Sequence, residues 1–251
     1  MRKIAIINYK GGTGKTVTSV SLAHGLALKG KKVLIIDMDP QGSVGYHLGI
    51  TAKKSLYDVL MGKETARNCI QPVRPNLDMI CGNEYLFPAE IAMSGMPERE
   101  RLLARYMADV TEYDIVIIDC GPSMNLLNQN ALLYAEEIIL PVSMEYLSLV
   151  GVKQLLNNIK IINRIFGSDI SISKVVPTFF DKRNKKSQDV CQSLERVFPG
   201  LLSLAIRSCV SLSEAPGSRQ SIFEYDINSK GAQDYLKLVN EVLENGKKTT
   251  I

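Results

Sequence analysis

Asn8-Tyr9-Lys10-Gly11-Gly12-Thr13-Gly14-Lys15-Thr16 is the stretch that decides the fold. It follows Ile4-Ala5-Ile6-Ile7, apolar at consecutive positions as a buried parallel strand is. It opens a helical pattern in which Val20, Ala23 and Ala27 form one stripe and Leu22 and Leu26 another. That helix is therefore expected to be buried on much of its surface. A glycine-rich turn between a strand and a helix lets backbone N–H groups converge on phosphate oxygens without side-chain obstruction. The helix N-terminus after Gly14 adds its positive end. Lys15 is placed to reach β- and γ-phosphates, and the Thr16 hydroxyl to bind Mg²⁺.

Outward from this loop, short apolar runs alternate with longer helical patterns. Residues 3–8, 32–37, 77–81, 114–119, 138–142 and 171–178 read as strands. Helices are expected near 15–29, 97–110, 124–135, 147–166, 185–197 and 229–245. Lys29-Gly30-Lys31-Lys32 ends the first with a basic last turn and a glycine. The last carries Tyr235, Leu238, Val239, Val242 and Leu243 as a packing stripe. This alternation implies an α/β fold: a doubly wound, mostly parallel sheet flanked by helices. No internal repeat or linker interrupts it, so residues 1–251 read as one P-loop domain.

Composition sets the frame. With 45% hydrophobic and 22% charged residues the chain is an ordinary globular one. There is no apolar run of membrane-spanning length, and the apolar stretch after Met1-Arg2-Lys3 is too short for a signal peptide. Cys69, Cys81, Cys120, Cys191 and Cys209 are scattered with no CxxC pair, which argues against a disulfide framework or zinc site and fits a reducing cytosol. Residues 1–150 hold 15 basic and 16 acidic side chains and residues 151–251 hold 15 and 10, so the net charge of +4 comes from the C-terminal part. That asymmetry hints at an anionic partner.

Asp119 ends the apolar run Ile115–Ile118 and reads as the carboxylate of a Mg²⁺ shell, reached through water. Asp37 and Asp39 follow Val33–Ile36, at the sheet edge where doubly wound folds bind ligands. The phosphate loop itself departs from the common pattern, with Tyr9 in place of its first glycine and Lys10 directly after. Residues 10–16 thereby resemble the deviant Walker A of the ParA/MinD group of ATPases. Asp37-Met38-Asp39-Pro40-Gln41-Gly42, Ile117-Ile118-Asp119-Cys120-Gly121-Pro122-Ser123, Glu145-Tyr146-Leu147-Ser148-Leu149-Val150-Gly151 and Leu212-Ser213-Glu214-Ala215-Pro216 resemble ParA proper, in family order over nearly the whole chain.

The resemblance implies a slow, partner-stimulated ATPase that forms a nucleotide-sandwich homodimer with ATP and Mg²⁺. Lys10 matches the lysine that reaches the neighbouring subunit's ATP, where a second cation stabilises charge that spreads during phosphoryl transfer. A lysine is a point charge and does less there than a bidentate arginine. By the same resemblance Asp39 lies in the first switch and positions the attacking water, so the catalytic set is Lys10, Lys15 and Asp39. Asp37 is expected near the Mg²⁺ shell or in structural support. The metal set is Thr16, Asp39 and Asp119. Lys10, Gly11, Gly12, Thr13, Gly14, Lys15, Thr16 and Val17 are expected around the phosphates, and the loops after the late strands, with Thr178, Phe179, Asp181, Ile206 and Arg207, near adenine. Phe179 and Phe180 are as readily core. Gly121 stands where the family usually has proline, which loosens the second switch.

ParA proteins bind DNA without sequence preference through basic residues of their C-terminal half. Lys182, Arg183, Lys185, Lys186 and Arg219 are the candidates here, and phosphate contacts would make binding salt-sensitive. Ser211 stands where many relatives carry arginine, which weakens that expectation or moves the patch. The implied setting is cytoplasmic and nucleoid-associated, with a cargo-bound activator of ParB type. A membrane switch of MinD type requires a basic amphipathic terminal helix, and residues 245–251 are short with one terminal apolar residue. A metabolic ligase on the same scaffold is a further alternative. A redox protein would need paired cysteines for a cluster. His24 is read as packing or capping, and His47 receives no role.

Overall fold

The computed structural model describes residues 1–244. Its strands are β1 (Arg2–Ile6), β2 (Val33–Asp37), β3 (Ile70–Arg74), β4 (Leu77–Ile80), β5 (Ile115–Asp119), β6 (Glu137–Ser143) and β7 (Ser171–Thr178). The first helices are α1 (Lys15–Leu28), α2 (Ser43–Leu48), α3 (Leu56–Leu60), α4 (Ala66–Cys69), α5 (Leu86–Met93) and α6 (Leu102–Tyr106). They are followed by α7 (Leu126–Tyr134), α8 (Tyr146–Phe166), α9 (Lys185–Val197), α10 (Val210–Glu214), α11 (Ile222–Tyr225) and α12 (Lys230–Glu244). The strands form one sheet in the order β3-β4-β2-β5-β1-β6-β7, parallel throughout except for β3 against β4. This is the doubly wound arrangement expected from the alternation of strands and helices. No described helix is long and apolar enough to cross a membrane.

Strand side chains alternate between two cores. Ile4 and Ile6 face one layer with α1 and α12, whereas Ala5 and Ile7 face the other with α7 and α8. The central strands β2 and β5 are buried at every position, which explains their unbroken apolar runs. α1 is buried from Thr18 to Ala27 and needs close packing at Gly25, where an added Cβ would lie 2.5 Å from Val239 Cγ2 on α12. Its end is a Schellman motif. Gly30 adopts φ +80°, its N–H donates to Ala27 C=O at 2.9 Å, and that of Lys31 donates to Leu26 C=O at 3.2 Å.

Two readings need correction, and one open alternative is resolved. β3 was not expected; it is a half-exposed edge strand holding Pro72, whose missing donor an edge tolerates. The helix expected over 97–110 is a 3₁₀ turn, Arg99–Arg101, followed by the five-residue α6. Phe179 is not core: it is 53% exposed, while Phe180 packs against the core.

Candidate functional site

At the carboxyl end of β1, Asn8 sets the geometry of the loop. Its Nδ2 donates to Pro141 C=O on β6 at 2.7 Å, and its Oδ1 accepts from the Lys10 N–H at 3.0 Å. Gly12 and Gly14 adopt φ +70° and +83°, a left-handed backbone that side chains resist. A Cβ on Gly11 or Gly12 would meet nothing within 4 Å, so the loop faces open space, as a phosphate cradle must. Gly14 is the N-cap of α1 and has no side-chain cap, which leaves the first amides of the helix free of side-chain partners.

The two loop lysines diverge. Lys15 is buried, and its Nζ donates to the Lys10 carbonyl at 3.1 Å, inside the loop. Burial lowers its pKa, opposed chiefly by the nearby Asp119 carboxylate. The Lys10 side chain leaves the loop on the other side. Its ammonium pairs with Glu145 and lies 3.3 Å from Ser148 Oγ, both at the start of α8.

The acidic residues separate into distinct roles. Asp119 is fully buried; its Oδ2 accepts from Thr16 Oγ1 at 2.8 Å and its Oδ1 from Ser19 Oγ at 2.6 Å. Burial pushes its carboxyl up to about 6 despite both hydrogen bonds. A buried carboxylate held against a threonine hydroxyl, with its charge so poorly compensated, fits a divalent cation. Asp37 is also fully buried, and burial, with Asp119 nearby, pushes it well above the usual carboxylate range. Its oxygens accept from the N–H groups of Asp39 at 3.1 Å and Val44 at 3.0 Å, so it supports the loop and the first turn of α2. Asp39 is half-buried. It accepts from the Gln41 N–H at 3.0 Å and lies 3.6 Å from where a Cβ on Gly121 would stand, so the loops after β2 and β5 meet at its carboxylate.

Sequence reasoning missed two supporting residues. Ser19 is one, although its spacing of three from Thr16 places both on one face of α1. Asn128 on α7 is the other: its amide donates to the carbonyls of Gly121, at 2.9 Å, and Ser123. That clamp restrains the turn that glycine was expected to loosen. Beyond Tyr9, a cleft of about 330 Å³ opens between the Pro122–Met124 turn and Gln154, Asn157 and Asn158 of α8.

The expected base contacts lie together at the end of β7, but most are engaged. Thr178 Oγ1 donates to Thr13 C=O at 2.9 Å and so ties β7 to the loop. Val17 is half-buried in the first turn of α1. Asp181 accepts from the guanidinium and N–H of Arg183, which hold its carboxyl down to about 2. The Ile206 side chain is in the core. Arg207 makes a bidentate pair with Asp234 of α12, both contacts 2.8 Å. Lys182, Arg183 and Lys185 are exposed and Lys186 half-exposed around the start of α9. Arg219 is held elsewhere, its stem against Gly49 at the end of α2. His24 Nδ1 lies 2.6 Å from Ser221 Oγ, a packing role as expected. Residues 245–251, on which the membrane reading turned, lie outside the described residues.

Known proteins resemble this chain over most of its length. A family model described as an AAA domain matches residues 1–172. The sporulation initiation inhibitor protein Soj of Bacillus subtilis (strain 168) is 39% identical over 249 residues, 97% of this chain and 98% of its own. The chromosome partitioning protein ParA of Caulobacter vibrioides (strain NA1000 / CB15N) is 35% identical over 251 residues, covering 97% and 94%. Among solved structures, a cobyrinic acid a,c-diamide synthase from Mycobacterium smegmatis with bound ATP analogue and magnesium superposes with TM-score 0.85 at 30% identity, covering 99% of this chain and 98% of that one.

Proposed function

The chain belongs to the ParA/Soj/MinD family of P-loop ATPases, and from that premise we propose that it segregates or positions DNA or another cargo as an ATP-dependent homodimer. In this reading two copies meet across their phosphate loops, the pair binds DNA without sequence preference, and a cargo-bound activator stimulates slow hydrolysis. The observation that carries it is the divergence of Lys10 from Lys15. One lysine sits inside its own cradle; the other lies outside it, held against Glu145 and Ser148 at the start of α8, from which a facing copy can draw it.

The residues then divide the work. Loop amides from Lys10 to Thr16, with Val17 in the following turn, hold the phosphates, and Lys15 exchanges the Lys10 carbonyl for phosphate oxygens. Thr16 and Asp119 hold Mg²⁺, with Asp39 near its shell. Bound Mg²⁺ neutralises charge on the phosphates. Asp39 orients the attacking water between the two switch loops. Lys10 leaves Glu145 to stabilise transition-state charge in the partner's site. Lys182, Arg183, Lys185, Lys186 and Arg219 supply DNA phosphate contacts. The setting is the cytoplasm, on the nucleoid.

The test is DNA binding by the Asp39→Ala variant with ATP, with ADP and without nucleotide. ATP-dependent binding that weakens steeply with salt supports the reading; equal binding in all three states refutes it. The likeness to a diamide synthase favours a second reading, ATP-driven amide formation on a small acid. ATP turnover stimulated by a carboxylic acid and an amine donor, and indifferent to DNA, would favour that one.

A further inference from the structure

We propose that Asn128 is a positioning residue for ATP hydrolysis: its buried amide fixes the turn after β5 against Asp39, the carboxylate that orients the attacking water. The inference rests on that reading of Asp39, which the experiment below checks separately. The turn has little stiffness of its own. It runs Gly121-Pro122-Ser123-Met124, opens on a residue without a Cβ, and is exposed from Pro122 to Met124. A Cβ added to Gly121 would lie 3.6 Å from the Asp39 carboxylate, so any drift of the turn changes the wall beside that group.

Asn128 supplies the restraint from α7, whose first turn is itself anchored. Asn125, the N-cap, accepts from the Asn128 N–H at 3.0 Å. Glu90 of α5 accepts from the Asn125 amide at 3.1 Å and from the Leu126 N–H at 2.7 Å. Side chains on a helix tilt toward its N-terminus, so the Asn128 amide reaches back over the turn. There its Nδ2 donates to the carbonyls of Gly121, at 2.9 Å, and Ser123. Both hydrogens of one amide thus hold two points of one short turn, and two carbonyl oxygens at that end identify it as the NH₂ group.

The other end of the same amide sets this residue apart from a packing group. Asn128 is 1% exposed, and its Oδ1 meets no donor among the described residues. A buried acceptor left unpaired costs stability. A leucine, of nearly the same shape, would fill the space without that cost. What the amide adds in return is its two donors, and both act on the turn beside Asp39.

The test compares Asn128→Leu and Asn128→Asp with the unaltered chain in single-turnover ATP hydrolysis, Mg-ATPγS titration and thermal melting. Asn128→Leu is expected to hydrolyse about tenfold more slowly, since a misplacement near 1 Å can cost about a hundredfold. Its ATPγS affinity should stay within about twofold and its Tm within about 3 °C, because the loss falls on the transition state and not on binding or folding. Asn128→Asp adds a readout that packing does not move. Burial favours its protonated form, which donates to one carbonyl, whereas the ionised form repels both. It should therefore recover most of the lost rate at about pH 6. Unchanged turnover in Asn128→Leu, equal losses of rate and of ATPγS affinity, or an Asn128→Asp chain as slow as Asn128→Leu at about pH 6 would overturn the assignment. Asp39→Ala, assayed beside them, should be nearly inactive. Ordinary turnover in Asp39→Ala would overturn the reading of Asp39 and the positioning role with it; an inactive Asp39→Ala beside a fully active Asn128→Leu would overturn the positioning role alone.

Discussion

Replacing Asp119 with asparagine should make the nucleotide-free protein more stable and leave it unable to respond to Mg-ATP. A buried carboxyl that titrates near 6 instead of 3.8 places about 3 kcal/mol against the ionised native state. Between about pH 4 and 6 the native state holds a proton that the unfolded chain has lost, so stability falls as pH rises through that window. Above it the whole penalty is present. Asparagine keeps an acceptor for Ser19 but turns its amide toward the Thr16 hydroxyl, which loses its acceptor, an offset of roughly 1–2 kcal/mol. A net gain of about 1–2 kcal/mol should raise Tm by roughly 3–6 °C at pH 7.5 for a chain of this size. Relief of Asp37, which Asp119 helps push upward, acts in the same direction. Thermal unfolding at pH 7.5 and pH 5.0, with and without Mg-ATPγS, reads all of this. The advantage of the variant should shrink at pH 5.0, and the nucleotide should stabilise only the unaltered chain. A lower Tm for Asp119→Asn at pH 7.5, or an offset indifferent to pH, would refute the argument.

Three further outcomes follow from buried or strained positions. His47 is 3% exposed with its Nε2 unpartnered, and burial pulls its imidazolium down to about 4. The unfolded chain takes up that proton first, so stability should drop by up to about 3 kcal/mol as pH falls from 6.5 to 4. Urea midpoints at pH 7 and 4.5 should show His47→Gln losing less, and an equal loss would contradict the cause given. Gly25→Ala forces a methyl group to within 2.5 Å of Val239 Cγ2 and 3.0 Å of Phe223 Cε2, and should cost about 1–3 kcal/mol by urea unfolding. Phe179→Gly relieves a left-handed backbone and should raise stability by up to about 1 kcal/mol in thermal melts.

What the sequence made legible was periodic or local. Residues 114–119 read as a strand and form β5 from Ile115 to Asp119, because a continuous apolar run has one stable place in a doubly wound sheet. The loop before α1 was readable because glycines, lysine and threonine at fixed spacing leave few other geometries. β3 was hidden because five half-exposed residues around a proline carry no period, and α2 to α6 because one or two turns are too short to show one. At the site, the partners were the illegible part. Nothing in Arg207 announces that Asp234, 27 residues on, occupies it, nor that Arg183 occupies Asp181. Which carboxylate a cation meets is decided by tertiary packing. Phe179 stayed open for a related reason: an aromatic after a buried strand can be core or loop until its φ turns the side chain outward.

The exchange of Lys10 between copies is most directly tested by mixing two inactive variants. Lys10→Ala keeps Asp39 but offers its partner no lysine; Asp39→Ala offers the lysine but cannot position water. Each alone should be nearly inactive. Mixed in equal amounts, half the pairs are heterodimers with one complete site, so about a quarter of the unaltered turnover should return. A mixture no more active than its components would contradict a lysine that serves the neighbouring copy.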